Sequence, residues 1–492
     1  MSIDSNTSSD YEARSEVRPK RIARTNSAHV PHLIRSRRVE SCCRSGGLSR
    51  WERRGLVLAA VVVVLFGAVV VVRGAFLSTR RTDLGVFLRA AWAVRSGVDL
   101  YGITDDKGLP YNYPPLLAIL LTPFADPPTG VAMSGTLPFG LKVGLWYLFS
   151  VAILVAAVHL LGNALTDTLP DLAKKIGPVR SRWWWGLRLL PVVACLPAIG
   201  QGLELGQVNV LWLALTCGMG IALLRGQSLR AGLWLAGAVC LKVLPIFLIL
   251  YPLWRRDLRC LAGLLLGLAV GLGGVPAAAL GPARALACTR TWVEVMLLPA
   301  FGMGRDHTRE ADLMGITSTN NQALMPVLHK TLNLRFDRMT LPNQVAPGVR
   351  LAHWVIGAAL TAATLLAAGW RRPRTPLADL LLLSLLNINM LLLSPAGHNH
   401  YLLLQVLPAM GLLAAERRQP EATGVPTGMR VFLVVNPIVS VLPMFESLRI
   451  VHDVGLAMYC AILLWFLGVV TMRRLKLASP QQAFVQPLRP AA

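Results

Sequence analysis

The sequence predicts an all-α, polytopic membrane protein with about ten spans. Three observations carry that prediction. The 492 residues are 54% hydrophobic and 15% charged, with a mean hydropathy of +0.53. That is more apolar surface than a globular core of this size could hide. Apolar runs recur along the chain with short polar stretches between them, and basic residues cluster in those stretches. The net charge of +24 therefore follows the positive-inside pattern of cytoplasmic loops, not the continuous basic face that nucleic-acid binding needs. No nucleic-acid partner is expected.

Residues 1–54 hold twelve Lys or Arg against six Asp or Glu with no hydrophobic period, and read as a disordered basic cytoplasmic tail. An integral-membrane domain over 55–475 and a short cytoplasmic tail over 476–492 follow. The run from Gly55 to Leu77 lies too far from Met1 to be a signal peptide and is read as a retained first span, crossing outward. Leu116 to Phe124 is too short to cross a core of about 30 Å and is expected along the interface. Leu141 to Leu161 returns inward to a loop with Lys174, Lys175, Arg180 and Arg182, where Trp183, Trp184 and Trp185 fit an interfacial belt. Leu187 to Leu203 goes out and Gln207 to Leu224 comes back.

Ala231 to Trp254 has basic residues at both ends and is interrupted by Lys242-Val243-Leu244-Pro245. Two half-helices turning at mid-membrane explain both facts, since non-helical backbone is tolerated there only against protein or a wet cavity. A single full span with a basic outer end is the other reading. Leu261 to Leu280 then leads into a long external region up to about Val349, with an interfacial helix expected near Thr291 to Ala300. Further spans are expected at Leu351–Ala368, Leu377–Leu393, Tyr401–Ala415, Met429–Met444 and Val454–Val470. Both termini then fall inside, and Asp83, Asn321 and His400 face one external side.

Six of the eight cysteines lie in or beside apolar stretches as small core residues, and Cys42-Cys43 has no partner at metal-ligand spacing, so neither a disulfide framework nor a zinc site is indicated. Asp83, just past the first span, can act as a general base toward an acceptor hydroxyl; it can equally pair with Arg80, Arg81 or Arg89. His398 and His400 lie at a break between spans and can donate to a phosphate or shuttle protons. They can also be loop histidines without a task. Lys242, a costly intramembrane charge, calls for a partner, and an anionic phosphate or Glu204 would serve. Gln207, Asn209, Asn321 and Gln322 offer neutral hydrogen-bonding groups suited to sugar hydroxyls or to capping helices. Tyr113, Tyr111 and Trp92 can stack on a sugar or sit in the interfacial belt.

The ordered set Asp83 with Phe87, Gly97 and Tyr101; Tyr113-Pro114-Pro115-Leu116; Gly206-Gln207 with Asn209; Gly232 with Lys242 and Pro245; Asn321-Gln322; and Ser394-Pro395 with His400 resembles glycosyltransferase family 87. These are integral-membrane, polyprenyl-phosphate-dependent enzymes that include a bacterial phosphatidylinositol mannosyltransferase. The resemblance implies a C-type glycosyltransferase architecture, with Asp83 as base and His400 on the donor phosphate. Ala323 stands where the family pattern has Ser, His329 where it has Arg, and Gly397-His398 where it has Ser-Trp.

The expected activity is inverting transfer of a hexose or pentose, mannose favoured, from a polyprenyl-phosphate donor to a hydroxyl of a glycan or glycolipid acceptor at the external face of the cell membrane. Asp83 is the catalytic candidate. His400, His398 and Lys242 are candidates for the donor phosphate, and Tyr113, Gln207, Asn209, Asn321 and Gln322 for substrate. The residues require no metal and no cofactor. A lipid or sugar transporter or flippase would also use a broken helix with a midplane charge, yet the internal repeat such a protein should carry is not evident.

Overall fold

The structure, a computed structural model, describes residues 48–77, 82–131, 134–298, 315–334, 341–342, 344–370, 375–418, 426–442, 445–448 and 450–477. Most of the expected terminal tails and the basic group 371–374 lie outside them. The chain divides into two compact units, Met1–Val62 and Val63–Ala492. The first is described from residue 48 and consists of the opening of helix α1 (Arg50–Val71). Apart from this helix, all that follows concerns the second.

Among the described residues the secondary structure is helical, with no strand and only two isolated bridges. Six helices among the described residues are long and apolar enough to cross a membrane, or seven if one bent pair is a single span. The protein is a multi-pass membrane protein. The six are Arg50–Phe76, Phe139–Thr168, Leu258–Leu280, Pro347–Ala368, Pro376–Leu393 and Leu456–Leu475, each overlapping a span expected from hydropathy. Asn209–Leu224 and Thr427–Val441 are apolar but shorter than a full crossing.

After α1 come α2 (Leu84–Ser96), closed by Gly97 in the left-handed conformation, and the short α3 (Pro115–Leu120), which confirms that 116–124 does not cross. The long α4 (Phe139–Thr168) leads to α5 (Pro170–Ile176). The expected outward span 187–203 is instead α6 (Arg182–Ala194) and α7 (Leu196–Glu204), bent by 62°. Pro197 in the first turn of α7 supplies the cause, since its ring clashes with the preceding turn and it has no N–H to continue the ladder.

Helices α8 (Asn209–Leu224) and α9 (Ser228–Leu241) follow, and α9 stops at Lys242, which is extended. A 3-10 segment (Leu244–Ile249) and α10 (Leu250–Arg255) complete the excursion. Ser228 Oγ then donates to Asp257 Oδ2 at 2.8 Å, so the segment ends beside its own start and is re-entrant. The expected half-helices are unequal: the 14 residues of α9 rise about 21 Å before the turn, not half the bilayer. Asp257 also caps α11 (Leu258–Leu268) by accepting from Cys260 N at 3.1 Å.

Because the hairpin returns to its base, α11 runs parallel to α9. Gly263, Gly267 and Gly271 on one side face Gly232, Ala236 and Cys240 on the other. Small residues spaced by four line one stripe of each helix and let the backbones touch, as in membrane helix pairs generally. A buried Arg255–Asp379 ion pair at 2.9 Å fastens the hairpin base to the central helix.

α12 (Val275–Leu280) and α13 (Pro282–Trp292) lead into the region expected to be external, where helix begins nine residues earlier than expected and residues 299–300 fall outside the described chain. α14 (Leu324–Leu332), α15 (Pro347–Ala368) and α16 (Pro376–Leu393) follow; α16, capped by Thr375, is buried along nearly its whole length. A 3-10 stretch (Asn399–Gln405) opens α17 (Val406–Arg418), then α18 (Pro426–Val441), α19 (Ile450–Asp453) and α20 (Leu456–Leu477) end the described chain.

Candidate active site

Asp83 is held at the start of α2 by the turn after α7. Its backbone N–H donates to Leu205 O at 2.8 Å, and Thr82 Oγ1 donates to the same carbonyl at 3.2 Å. The turn needs Gly206 twice over: its φ is +66°, and a Cβ there would lie 2.8 Å from Thr82 Oγ1 and 3.1 Å from Leu84 Cβ. Trp146 Nε1 fixes the turn by donating to Gly206 O at 2.9 Å.

The carboxylate of Asp83 is contacted on both oxygens. Gln207 Nε2 donates to Oδ2, and Lys107 Nζ lies 3.4 Å from Oδ1 while donating to Thr82 O at 2.7 Å. Of the alternative partners, Arg89 pairs with Asp106 at 2.7 Å, and Arg80 and Arg81 lie outside the described residues. Lys107 was not a candidate from sequence. Its turn is shaped by Asp105, whose Oδ1 accepts from Lys107 N and Leu109 N, both at 2.9 Å. An Asp-Asp-Lys-Gly turn was the available signal.

Gln207 Oε1 accepts from the Tyr113 hydroxyl at 3.3 Å, so the expected sugar ligand Gln207 is first a link between acid and aromatic. Tyr113 packs edge-on against Phe87 at 5.0 Å. Its ring is also one wall of a cage around Lys242 Nζ, 5.5 Å from Tyr113, 5.6 Å from Trp212 and 3.8 Å from Tyr401. The ammonium donates to Tyr401 OH at 2.6 Å and reaches Asn209 Oδ1 at 3.4 Å. The aromatic faces and two oxygens offset part of the cost of taking this cation out of water. Glu204 does not serve: it pairs with Arg73 at 2.8 Å.

His398 and His400 stack with ring centroids 5.4 Å apart, and His400 meets Tyr401 edge-on at 4.8 Å. Burial, then the Lys242 charge, lowers His398 to about 4. His400 is held well below the ordinary histidine range by burial and by His398. Both are therefore neutral donors at physiological pH. Asp83, Gln207, Tyr113, Asn209, Lys242, His400 and His398 thus form one continuous set of contacts, drawn from α2, the 101–114 loop, α8, the re-entrant hairpin and the loop before α17.

Asn321 and Gln322 have a different role. Asn321 Oδ1 accepts from Gly397 N at 2.9 Å and its Nδ2 donates to Pro395 O at 3.1 Å; Gln322 Nε2 donates to Thr319 O and His452 O, both at 2.9 Å. Both are buried. With the Gln322 N to Gly397 O and Asn399 N to Asn320 O bonds at 2.8 and 2.9 Å, they brace the histidine loop, and the Gln322 Oε1 stays buried without a hydrogen-bond partner among the described residues. His452 adds a brace through its ring Nδ1, 3.0 Å from Asn399 Nδ2. Lys330, buried in the last turn of α14, donates to Ser318 O and Asn321 O at 2.9 and 3.0 Å. Neither was legible as part of the site, being single polar residues far off in sequence.

An apolar cavity of about 530 Å³ adjoins the site, with Leu84, Leu88, Leu117, Phe124, Trp146 and Leu241 among its walls. Two of its walls, Leu84 and Leu241, are the chain neighbours of Asp83 and Lys242.

The chain is similar to polyprenol-phosphate-mannose-dependent alpha-(1-2)-phosphatidylinositol mannoside mannosyltransferases. That of Mycobacterium tuberculosis is 28% identical over 220 residues, 42% of this chain and 46% of the relative. That of Mycolicibacterium smegmatis is 29% identical over 192 residues, 37% and 40% respectively. The chain thus spans less than half the length of the curated relatives it matches. Among solved structures, ArnT from Cupriavidus metallidurans bound to undecaprenyl phosphate matches 85% of this chain and 78% of its own, at 15% identity and a TM-score of 0.33. The model of glycosyltransferase family 87 matches residues 111–395, more than half of the chain, and the protein belongs to that family.

Proposed function

We propose that the protein transfers one sugar, mannose favoured, from a polyprenyl-phosphate donor to a hydroxyl of a glycan or glycolipid acceptor at the external face of the membrane, with inversion. The observation that carries this reading is the contact chain from Asp83 through Gln207 and Tyr113 to Lys242 and the stacked imidazoles. It supports an acid and an anion-binding group on two sides of one small space.

In the proposed step Asp83 takes the proton of the acceptor hydroxyl as that oxygen bonds to the anomeric carbon. The bond from that carbon to the phosphate oxygen breaks, and the electron pair leaves with the phosphate. Lys242 receives the departing charge, while His398 and His400 donate neutral N–H hydrogen bonds. Gln207 fixes the carboxylate, and its link to Tyr113 holds acid and cage in register. The apolar cavity suits the isoprenoid chain next to the phosphate. Mannose is favoured by the two mycobacterial relatives, both named as mannosyltransferases that depend on polyprenol-phosphate-mannose.

The test is to incubate membranes containing the protein with a panel of radiolabelled polyprenyl-phosphate sugars. Label moving into a lipid or glycan product, lost in the Asp83→Asn variant at equal expression, supports the reading. Wild-type turnover by Asp83→Asn defeats it. Sugar uptake into vesicles without donor consumption would favour transport instead.

A further inference from the structure

At the other end of α17 from the candidate active site lies a second polar cleft, of about 270 Å³, lined by Asp171, Lys174, Lys175 and Arg418. The 3-10 stretch from Asn399 and the helix to Arg418 together rise roughly 30 Å, one hydrocarbon thickness. The cleft therefore sits at the opposite interface, where the basic loops gather.

Its construction is reciprocal. Lys175 Nζ donates to Arg418 O at 2.7 Å, and Arg417 Nη2 donates to Lys175 O at 3.0 Å, so α5 and α17 each cap the other's C-terminal end. Arg417 is held in place by stacking at 4.3 Å over Trp183, one of three consecutive tryptophans suited to the headgroup level. This fixes Lys175 and Arg417, and leaves the charges of Lys174 and of Arg418, the latter with only a long contact to a carboxylate. Lys174 is exposed, and the Arg418 guanidinium lies 3.7 Å from Asp171, whose carboxylate is itself 64% exposed. Three cations thus face one carboxylate in a cleft at membrane-surface height.

We propose that this cleft binds the phosphate of an anionic phospholipid headgroup, with Lys174 and the Arg418 side chain as its donors. The three cations outnumber the one carboxylate, Asp171, which already lies 3.7 Å from the Arg418 guanidinium, so the walls favour a phosphate over a choline. A free phosphate ion shares the chemistry but lacks the acyl chains that the apolar outer faces of α4 and α6 would cover. A site there would tether helices α4, α5 and α17 to the anionic leaflet.

The experiment uses the purified full chain in detergent, titrated with dioleoylphosphatidylglycerol or dioleoylphosphatidylcholine and read by native mass spectrometry. Wild-type protein should retain the glycerol lipid in preference to the choline lipid. In the double variant K174E/R418E binding of phosphatidylglycerol should weaken by at least about thirtyfold, since losing the two positive charges alone accounts for that much before the two added carboxylates repel the lipid, with no change for phosphatidylcholine. If charge reversal prevents folding, K174Q/R418Q serves in its place. Undiminished phosphatidylglycerol retention in the folded variant, or its displacement by millimolar inorganic phosphate, would overturn the proposal.

Discussion

The side-chain amide of Gln207 donates to Oδ2 of Asp83 and accepts from the Tyr113 hydroxyl. Two residues 124 positions apart are thereby fixed as one unit, and the carboxylate cannot rotate without breaking its bond to Gln207 and its 3.4 Å contact with Lys107. The Gln207→Leu variant should keep the fold yet lose about tenfold to a hundredfold in kcat. That is less than the 10²–10⁴-fold expected for Asp83→Asn, since the base survives but its orientation does not. Steady-state kinetics on the two variants check the order, and equal losses would show that Gln207 does more than orient.

Lys242 is the one ammonium inside the aromatic cage. Lys242→Met preserves length and apolar bulk and should lower kcat/KM for the donor by about 10²–10³-fold, as loss of a group that stabilises developing charge does. Tyr401→Phe, which removes an acceptor and keeps a cage wall, should cost less. Donor titrations with both variants distinguish charge from packing.

Acidification should destabilise the protein through its buried imidazoles. His398 and His452 are each lowered to about 4, mainly by burial, with Lys242 and Lys330 respectively contributing. The unfolded chain, at about 6.5, binds protons that the folded chain refuses. Stability from this source is complete above about pH 6.5 and declines as pH falls toward 4. Thermal midpoints at pH 7.5 and pH 5 should differ, and the double variant H398N/H452N should narrow the difference.

The α9–α11 seam leaves no room for side chains. A Cβ on Gly232 would strike the Cys260 carbonyl, and one on Gly263 the Leu229 carbonyl. Gly232→Ala should therefore lower the thermal midpoint and tilt the hairpin that carries Lys242, at a cost of at least 1–3 kcal/mol. Gly273→Ala, which meets open space, is the control.

Gly397 and Ala323, two positions where this chain departs from the family pattern, are neighbours. A Cβ at 397 would lie 2.9 Å from both Ala323 Cβ and Ala323 N. The two small residues let the 318–323 and 394–400 loops pair, so Gly397→Ser should loosen the histidine loop, raising the donor KM before it affects overall stability.

Much of the architecture was legible because long apolar runs and basic loops obey the bilayer. The six full-length helices fall where hydropathy placed them, and the break at Lys242 was readable from a lysine and a proline in an apolar run. The bend at Cys195 was missed because the flanking runs add up to one span's length. The site was half legible. Asp83, Gln207, Tyr113, Asn209, Lys242, His398 and His400 converge, while Asn321, read as a ligand for sugar, is occupied by backbone groups at both ends and Gln322 gives its NH₂ to two backbone carbonyls. Residue type alone does not distinguish an amide that braces a loop from one that awaits a hydroxyl. Trp212 and His452 needed the third dimension, and of Lys107 the sequence showed the turn but not its partner.

The hydrogen bond between Ser228 and Asp257 sets a condition on evolution. Lys242 rides at the tip of a prong whose two feet stand together, so its height is set by the number of residues in α9. Adding or deleting one would shift it by about 1.5 Å and swing it by about 100°. Substitution can retune the prong, but an insertion or deletion would carry the lysine out of its aromatic cage.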